Sequence, residues 1–505
     1  MLAAVLVSTG CTLPVFAPDD ADSPGATAAD IPSAVGAPAS WRACPEVARE
    51  VAGRAAQGVS YDCATIAVPQ DWSAPDAGGT YEVALLRVRS AAQRNRIGSL
   101  VINPGGPGGS GVDIAVYLSY GGLPAAITDR FDIVGFDPRG VHRSSPVRCI
   151  GDALQDASFA ADPDPATTAE FAEAVALNRR IVTGCDETYG RRLSLFSTEQ
   201  AAHDLEAIRA AVGDDKLTYL GYSYGTLLGA TYAQLHPAKV RAMVLDGAID
   251  PRQGYVTSAE AQANGFERAF ANFTRWCRDT PAKCPLAPSA RAAVTDAIAT
   301  GETAPVRGGD GRAATDGWIL LAVVASLYTE AGWAQLAKAV DDLRRGDPAG
   351  VFALADAYAD RDPKGTYSNQ GDANLAVNCT DAASVPTVQQ VRQLQGRWRA
   401  KYPLFGAPIA LGLLPCVLWP GRRDPYPTGP ARGAPPIVVI GTTGDPATPY
   451  ENTARLAEML GVGRVLTWQG EGHTAYPDTP CITTAVNRYL IDLRVPAQGL
   501  RCPAR

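Results

Sequence analysis

The sequence predicts an α/β protein: a mostly parallel central sheet flanked by helices, carrying a large, mainly helical insertion. Three observations lead there. Short apolar runs recur at 64–68, 81–88, 100–103, 133–136, 217–220, 242–245, 437–440 and 465–468. Several lack clean polar alternation, as strands covered on both faces do. Segments of helical period separate most of them, as the crossovers of a parallel sheet require. Between 250 and 435, helical stretches such as 318–340 and 386–398 run on without a strand-and-turn signal. At 505 residues the chain exceeds one compact core. The expected organisation is a leader and tether over 1–40, a core over 41–249, a cap over 250–434, and the rest of the core over 435–505.

The N-terminus, Met1-Leu-Ala-Ala-Val-Leu-Val-Ser-Thr-Gly-Cys11, is apolar and ends in small residues and a cysteine. It resembles the tail of a bacterial lipoprotein signal, with Cys11 the residue that takes the lipid. Two departures stand out: there is no positive n-region, and Ser8 replaces the usual leucine. The Ala-, Pro-, Asp- and Ser-rich stretch 19–40 would be a tether. The expectation is therefore export, to the cell envelope by a lipid anchor or as a secreted protein. No apolar run approaches the length that spans a membrane.

Residues 99–111, Ser-Leu-Val-Ile-Asn-Pro-Gly-Gly-Pro-Gly-Gly-Ser-Gly, read as a strand running into a glycine-rich loop. A phosphate-binding loop would need Gly-Lys-Ser/Thr, which does not follow, and a dinucleotide loop its later acid. Residues 199–212 have the period of an amphipathic helix with Ser197 as N-cap, and His203 and Asp204 on it read as surface or packing groups. Next comes Leu217-Thr-Tyr-Leu-Gly-Tyr-Ser223-Tyr-Gly-Thr226, an apolar strand, then Gly-x-Ser-x-Gly, then helix. That is the nucleophile elbow of an α/β-hydrolase. The sharp turn lifts the Ser223 hydroxyl clear of the sheet and aims the Tyr224 N–H at the reaction centre.

A serine hydroxyl needs a neutral imidazole to take its proton. The chain has four histidines, and only His236 and His473 follow Ser223, as the order Ser, Asp, His requires. His236 sits at the end of the helix leaving the elbow, where the helix dipole alone explains it. His473 follows the strand-like 464–468 in a loop, the position of a base. Between the two, the apolar run 437–440 leads to Asp445. Alone it would be an ordinary turn aspartate before proline; between Ser223 and His473 it is the candidate that orients the imidazole. The oxyanion needs two fixed donors. Tyr224 N–H is one, and Gly106 N–H, with Gly105 second, is the other.

Several segments occur in order: Pro104-Gly-Gly-Pro-Gly108, Gly135-Phe-Asp-Pro-Arg-Gly140 with Arg143-Ser-Ser-Pro146, Gly221-Tyr-Ser-Tyr-Gly-Thr226, Gly444-Asp445-Pro and Gly472-His473. Over roughly 40–505 the chain thus resembles the prolyl and tripeptidyl aminopeptidase group of secreted α/β-hydrolases. Pro104 stands where many of that group have histidine, and His142 where glycine is usual. The resemblance implies a serine exopeptidase acting on peptides with a free N-terminus, without metal or organic cofactor. A carboxylesterase or lipase with the same triad is the alternative, a non-catalytic binding module the more distant one. An exopeptidase must meet the substrate ammonium with a carboxylate, since burying that charge unpaired is costly. Asp381, in the cap, and Glu471, beside the base, are the candidates; for either, a solvated or structural role competes.

Net charge is −7 with no basic cluster, so nucleic acid is not an expected partner. Setting Cys11 aside leaves ten cysteines, an even number, with no CxxC or Cys/His metal spacing. Paired cysteines fit an oxidising compartment. Sequence does not fix the connectivity; on economy, pairing within segments so that no bridge crosses the sheet, the expected set is Cys44–Cys63, Cys149–Cys185, Cys277–Cys284, Cys379–Cys416 and Cys481–Cys502.

Overall fold

The computed structural model describes residues 37–504. Cys11 and its expected lipid lie outside the described residues.

Ten strands build one sheet: β1 (Arg42–Ala43), β2 (Val59–Pro69), β3 (Thr80–Ser90), β4 (Gly98–Asn103), β5 (Phe131–Phe136), β6 (Leu217–Tyr222), β7 (Val240–Asp246), β8 (Ile437–Gly444), β9 (Gly463–Glu471) and β10 (Leu500–Pro503). Their order is β1-β2-β3-β5-β4-β6-β7-β8-β9-β10. The pairs β1/β2, β2/β3 and β3/β5 are antiparallel. From β5 to β10 every neighbouring pair is parallel. Every residue of β4, β5 and β6 is buried, which explains their unalternating apolar runs. Alternation still sorts their side chains: Leu100 and Ile102 join the core on one face, Val101 the core on the other.

The helices that bear on the site are α1 (Thr168–Tyr189), α2 (Thr198–Ala211), α3 (Tyr224–Leu235), α4 (Tyr255–Asp279), α5 (Asp316–Leu327), α6 (Glu330–Arg344), α7 (Gln370–Asp381) and α8 (Val388–Lys401). Those from α4 to α8 lie between β7 and β8, with one two-stranded ladder, 306–307 against 313–314. Their apolar faces continue the core that Val101 joins. α1 precedes the elbow in sequence yet packs against the short helix Leu414–Val417 of the insertion. No helix among the described residues is long and apolar enough to cross a membrane.

All eight expected strands are present. The two edge strands β1 and β10 are additional; neither carries an apolar run of its own. The stretch expected to be helical over 318–340 is two helices, α5 and α6, broken at Tyr328 and Thr329. Ser197 caps α2, its hydroxyl accepting the Gln200 N–H at 3.3 Å. Asp204 on α2 is a core anchor: Arg139 donates to both its oxygens at 2.7 and 2.6 Å, and both side chains are 1% exposed. Five disulfides join the five segment-local pairs, with Cα separations from 4.2 to 5.7 Å.

Candidate active site

Ser223 stands between the end of β6 and the start of α3 with φ 53° and ψ −122°, a backbone conformation costly for any residue with a Cβ. The turn is tight enough to demand its glycines. A Cβ on Gly221 would come 2.3 Å from the Gly225 carbonyl oxygen, and one on Gly225 2.8 Å from that of Asn103. The Ser223 N–H donates to the Asp246 carbonyl at 2.9 Å, and the Ser223 carbonyl accepts from the Thr226 hydroxyl at 2.7 Å.

His473 lies in the loop after β9. Its Nδ1 is 2.8 and 3.0 Å from the two oxygens of Asp445. Asp445 is fully buried at the end of β8. Ala447 and Thr448 each donate a backbone N–H to its Oδ1 at 2.9 Å, and the Thr448 hydroxyl donates to Oδ2 at 3.0 Å. So fixed, the carboxylate selects the Nδ1–H tautomer and leaves Nε2 the acceptor. That Nε2 is buried and makes no hydrogen bond among the described residues. Burial works to lower the His473 pKa; the charge of Asp445, its hydrogen bond and the charge of Asp246 outweigh burial and raise it. The insertion holds this loop in place. The His473 N–H donates to the Tyr328 carbonyl at 2.7 Å, Thr329 bridges to Gly472, and the Tyr328 ring stands edge-on 5.4 Å from the imidazole. The break between α5 and α6 is what presents that carbonyl.

The glycine loop after β4 lies against the elbow. A Cβ on Gly105 would fall 2.5 Å from the Tyr222 carbonyl oxygen and 3.0 Å from the Tyr224 nitrogen. The Gly105 N–H is taken by Asn103 Oδ1 at 2.9 Å, while the Gly106 N–H has no acceptor among the described residues. From the cap, Asn374 Nδ2 donates to the Pro107 carbonyl at 3.0 Å. The structure thus brings the Tyr224 amide and the Gly105–Gly106 backbone together, and Asp445 and His473 together.

Asp246, the last residue of β7, was not singled out in the sequence. It is fully buried, and its Oδ2 accepts the N–H groups of Ala475 and Tyr476 at 2.9 and 2.8 Å. Its carbonyl holds Ser223, so one residue ties the elbow to the loop that carries His473. Burial, partly offset by these bonds, pushes its pKa up to about 6. The available signal was an acid ending the strand next to the elbow strand; its partners, more than 200 residues away in sequence, gave none.

Asp381 and Glu471 are both engaged within the protein. Asp381 accepts the Thr198 N–H at 2.9 Å and the Thr198 hydroxyl at 2.6 Å, and that hydroxyl is 2.7 Å from the Tyr224 phenol. Burial raises its pKa to about 8. Glu471 takes the Asn272 amide on both oxygens, at 2.9 and 2.8 Å. His236 packs on the rings of His203 and Tyr232, at 5.3 and 5.2 Å.

Residues 98–284 match the family described as alpha/beta hydrolase fold, and residues 402–502 the family described as TAP-like protein. The chain is 37% identical to the serine protease Hip1 of Mycobacterium tuberculosis, over 93% of this chain and 91% of that one. It is 36% identical to carboxylesterase B of the same organism, over 99% and 98%. To the tripeptidyl aminopeptidase of Streptomyces lividans it is 31% identical, over 87% and 83%.

Proposed function

The chain belongs to the α/β-hydrolase serine peptidases, and from that premise we propose that it is an exported aminopeptidase, releasing short peptides or single residues from peptide N-termini. Ser223 Oγ attacks the scissile carbonyl while His473 Nε2 takes its proton. Asp445 holds the Nδ1–H and stabilises the imidazolium. The Gly106 and Tyr224 amides receive the oxyanion. His473 then protonates the leaving amine; water in its place, deprotonated by His473, attacks the acyl-enzyme, and the proton returns to Ser223 Oγ as the acid leaves. The observation that carries the reading is the buried Asp445 carboxylate bonded to His473 Nδ1, with Nε2 left as acceptor, in a loop tied through Asp246 to Ser223. The five disulfides support export, and Cys11 is the residue proposed to take a lipid.

The test compares kcat/KM on a tripeptidyl anilide with a free amine, its N-acetyl derivative and a p-nitrophenyl ester. An aminopeptidase prefers the first. Preference for the ester would favour a carboxylesterase, the reading that the likeness to carboxylesterase B supports. Fluorophosphonate should label the wild type and not Ser223→Ala, whose turnover should fall about ten-thousandfold or more. An unlabelled wild type would leave a binding module.

A further inference from the structure

Under the cap lies a cavity of about 310 Å3, walled by α1, α4, α5, α7 and the segment after α8. Three of its wall residues reach the three loops of the candidate site. Gln262 donates its Nε2–H at 3.1 Å to the carbonyl of Ala447, the residue whose N–H donates to Asp445. Asn374 holds the Pro107 carbonyl of the glycine loop at 3.0 Å. The Tyr358 hydroxyl is 3.4 Å from that of Tyr328, the ring that stands over His473. Through these contacts the cavity wall is fastened to the loops that carry Asp445, Gly106 and His473.

Its chemistry is selective. Leu177, Ile181, Leu321, Val324 and Ile409 dominate the walls. The charged residues lining it are two carboxylates, Asp162 and Asp372, with no lysine or arginine among the described lining residues. Asp372 is occupied: its Oδ2 accepts the Cys149 N–H at 2.9 Å and its Oδ1 lies 3.5 Å from Gln155 Nε2. Asp162 accepts the Asp164 N–H at 2.7 Å on Oδ1. Burial, against the Asp164 N–H bond and with the charges of Glu302, Asp164 and Glu170, raises its pKa; the guanidinium of Arg399, paired with Asp164, is the cation whose charge it meets. Apolar walls and a carboxylate, with no lysine or arginine among the described lining residues, suit a positively charged group on an apolar body. The size decides which part of a substrate that is. Pockets of about 300 to 1,000 Å3 hold small molecules, so a polypeptide leaving group of open length must run to solvent. The short acyl part alone fits.

We propose that this cavity receives the released N-terminal segment, with apolar side chains against α1 and α5 and the terminal ammonium at Asp162. The proposal rests on the aminopeptidase reading and assigns its ammonium site to a residue other than Asp381 or Glu471. The experiment measures kcat/KM for matched free-amine and N-acetyl peptide anilides on wild type, Asp162→Asn and Asp372→Asn. Loss of one charged hydrogen bond should lower the free-to-acetylated ratio about ten- to hundredfold in Asp162→Asn, through KM. A ratio kept in Asp162→Asn, or lost only in Asp372→Asn, overturns the assignment. A wild-type ratio near one instead overturns the aminopeptidase reading itself. Leu321→Trp supplies an independent arm by filling the cavity. It should depress turnover of released segments with leucine or phenylalanine side chains more than that of all-alanine segments. Equal effects on both, or equal wild-type turnover of apolar and glutamate-bearing segments, would also overturn it.

Discussion

His473 titrates under opposed pressures, and the balance sets the pH dependence of the proposed reaction. Burial favours the neutral ring, while Asp445 and then Asp246 favour the charged one and prevail. The base must be neutral to work, so activity on an uncharged substrate should rise with pH, with a midpoint above the ordinary 6.5. Replacing Asp246 by asparagine removes a neighbouring negative charge. The imidazolium loses stabilisation, and the midpoint should move down. An acid limb that stays put in an active Asp246→Asn enzyme would mean that the carboxylate only braces the loop. Ser223, Asp445 and His473 could be nominated from sequence because the elbow, the chain order and the scarcity of histidine each narrow the choice. Asp246 could not. Its role depends on two amides brought to it by folding, and no local pattern announces them.

At the level of elements, the strands were legible and the joints between layers were not. Eight apolar runs announce eight strands; in β4, β5 and β6 burial on both faces removes the alternation, while β2 and β3 keep part of it. β1 and β10 escaped because each is held by its neighbour and a nearby disulfide, not by its own hydrophobicity. The break at Tyr328 and Thr329 escaped because helical periodicity runs through it; the Tyr328 carbonyl is turned to the His473 N–H by a tertiary contact. Asp381 is a similar joint. It lies on α7, yet its carboxylate fastens the start of α2, and the same threonine hydroxyl reaches the elbow tyrosine. Thr198→Val keeps the N–H bond to Asp381 but removes the hydroxyl from its other oxygen, and should cost about 1–3 kcal/mol of stability, read as a lower denaturant midpoint at pH 7. An unchanged midpoint would show the acid satisfied elsewhere.

For the whole molecule, acid stability and covalent closure follow from features far from Ser223. His203 is held against Trp72 and His236, and burial, then His236 and Arg139, lower its pKa to about 4. The unfolded chain takes up this proton near 6.5, before the folded one does. The stability tied to His203 is thus complete above that pH and lost as pH falls towards 4. His203→Gln should flatten the decline in Tm between pH 6.5 and 4.5; a decline as steep as the wild type's would assign it to other groups. Breaking Cys379–Cys416, which staples α7 to the helix Leu414–Val417, should lower stability by about 2–4 kcal/mol, measured by chemical denaturation of the double serine variant. The two outermost bridges have a different consequence. Cys44–Cys63 ties down one margin of the sheet and Cys481–Cys502 the other. A sheet margin is a template on which another chain can add a strand. With β1 and β10 pinned, neither margin can peel away to expose the longer strand behind it. For the exported enzyme proposed above, beyond the reach of cytoplasmic chaperones, these two bridges would keep copies of the protein from polymerising through their sheets.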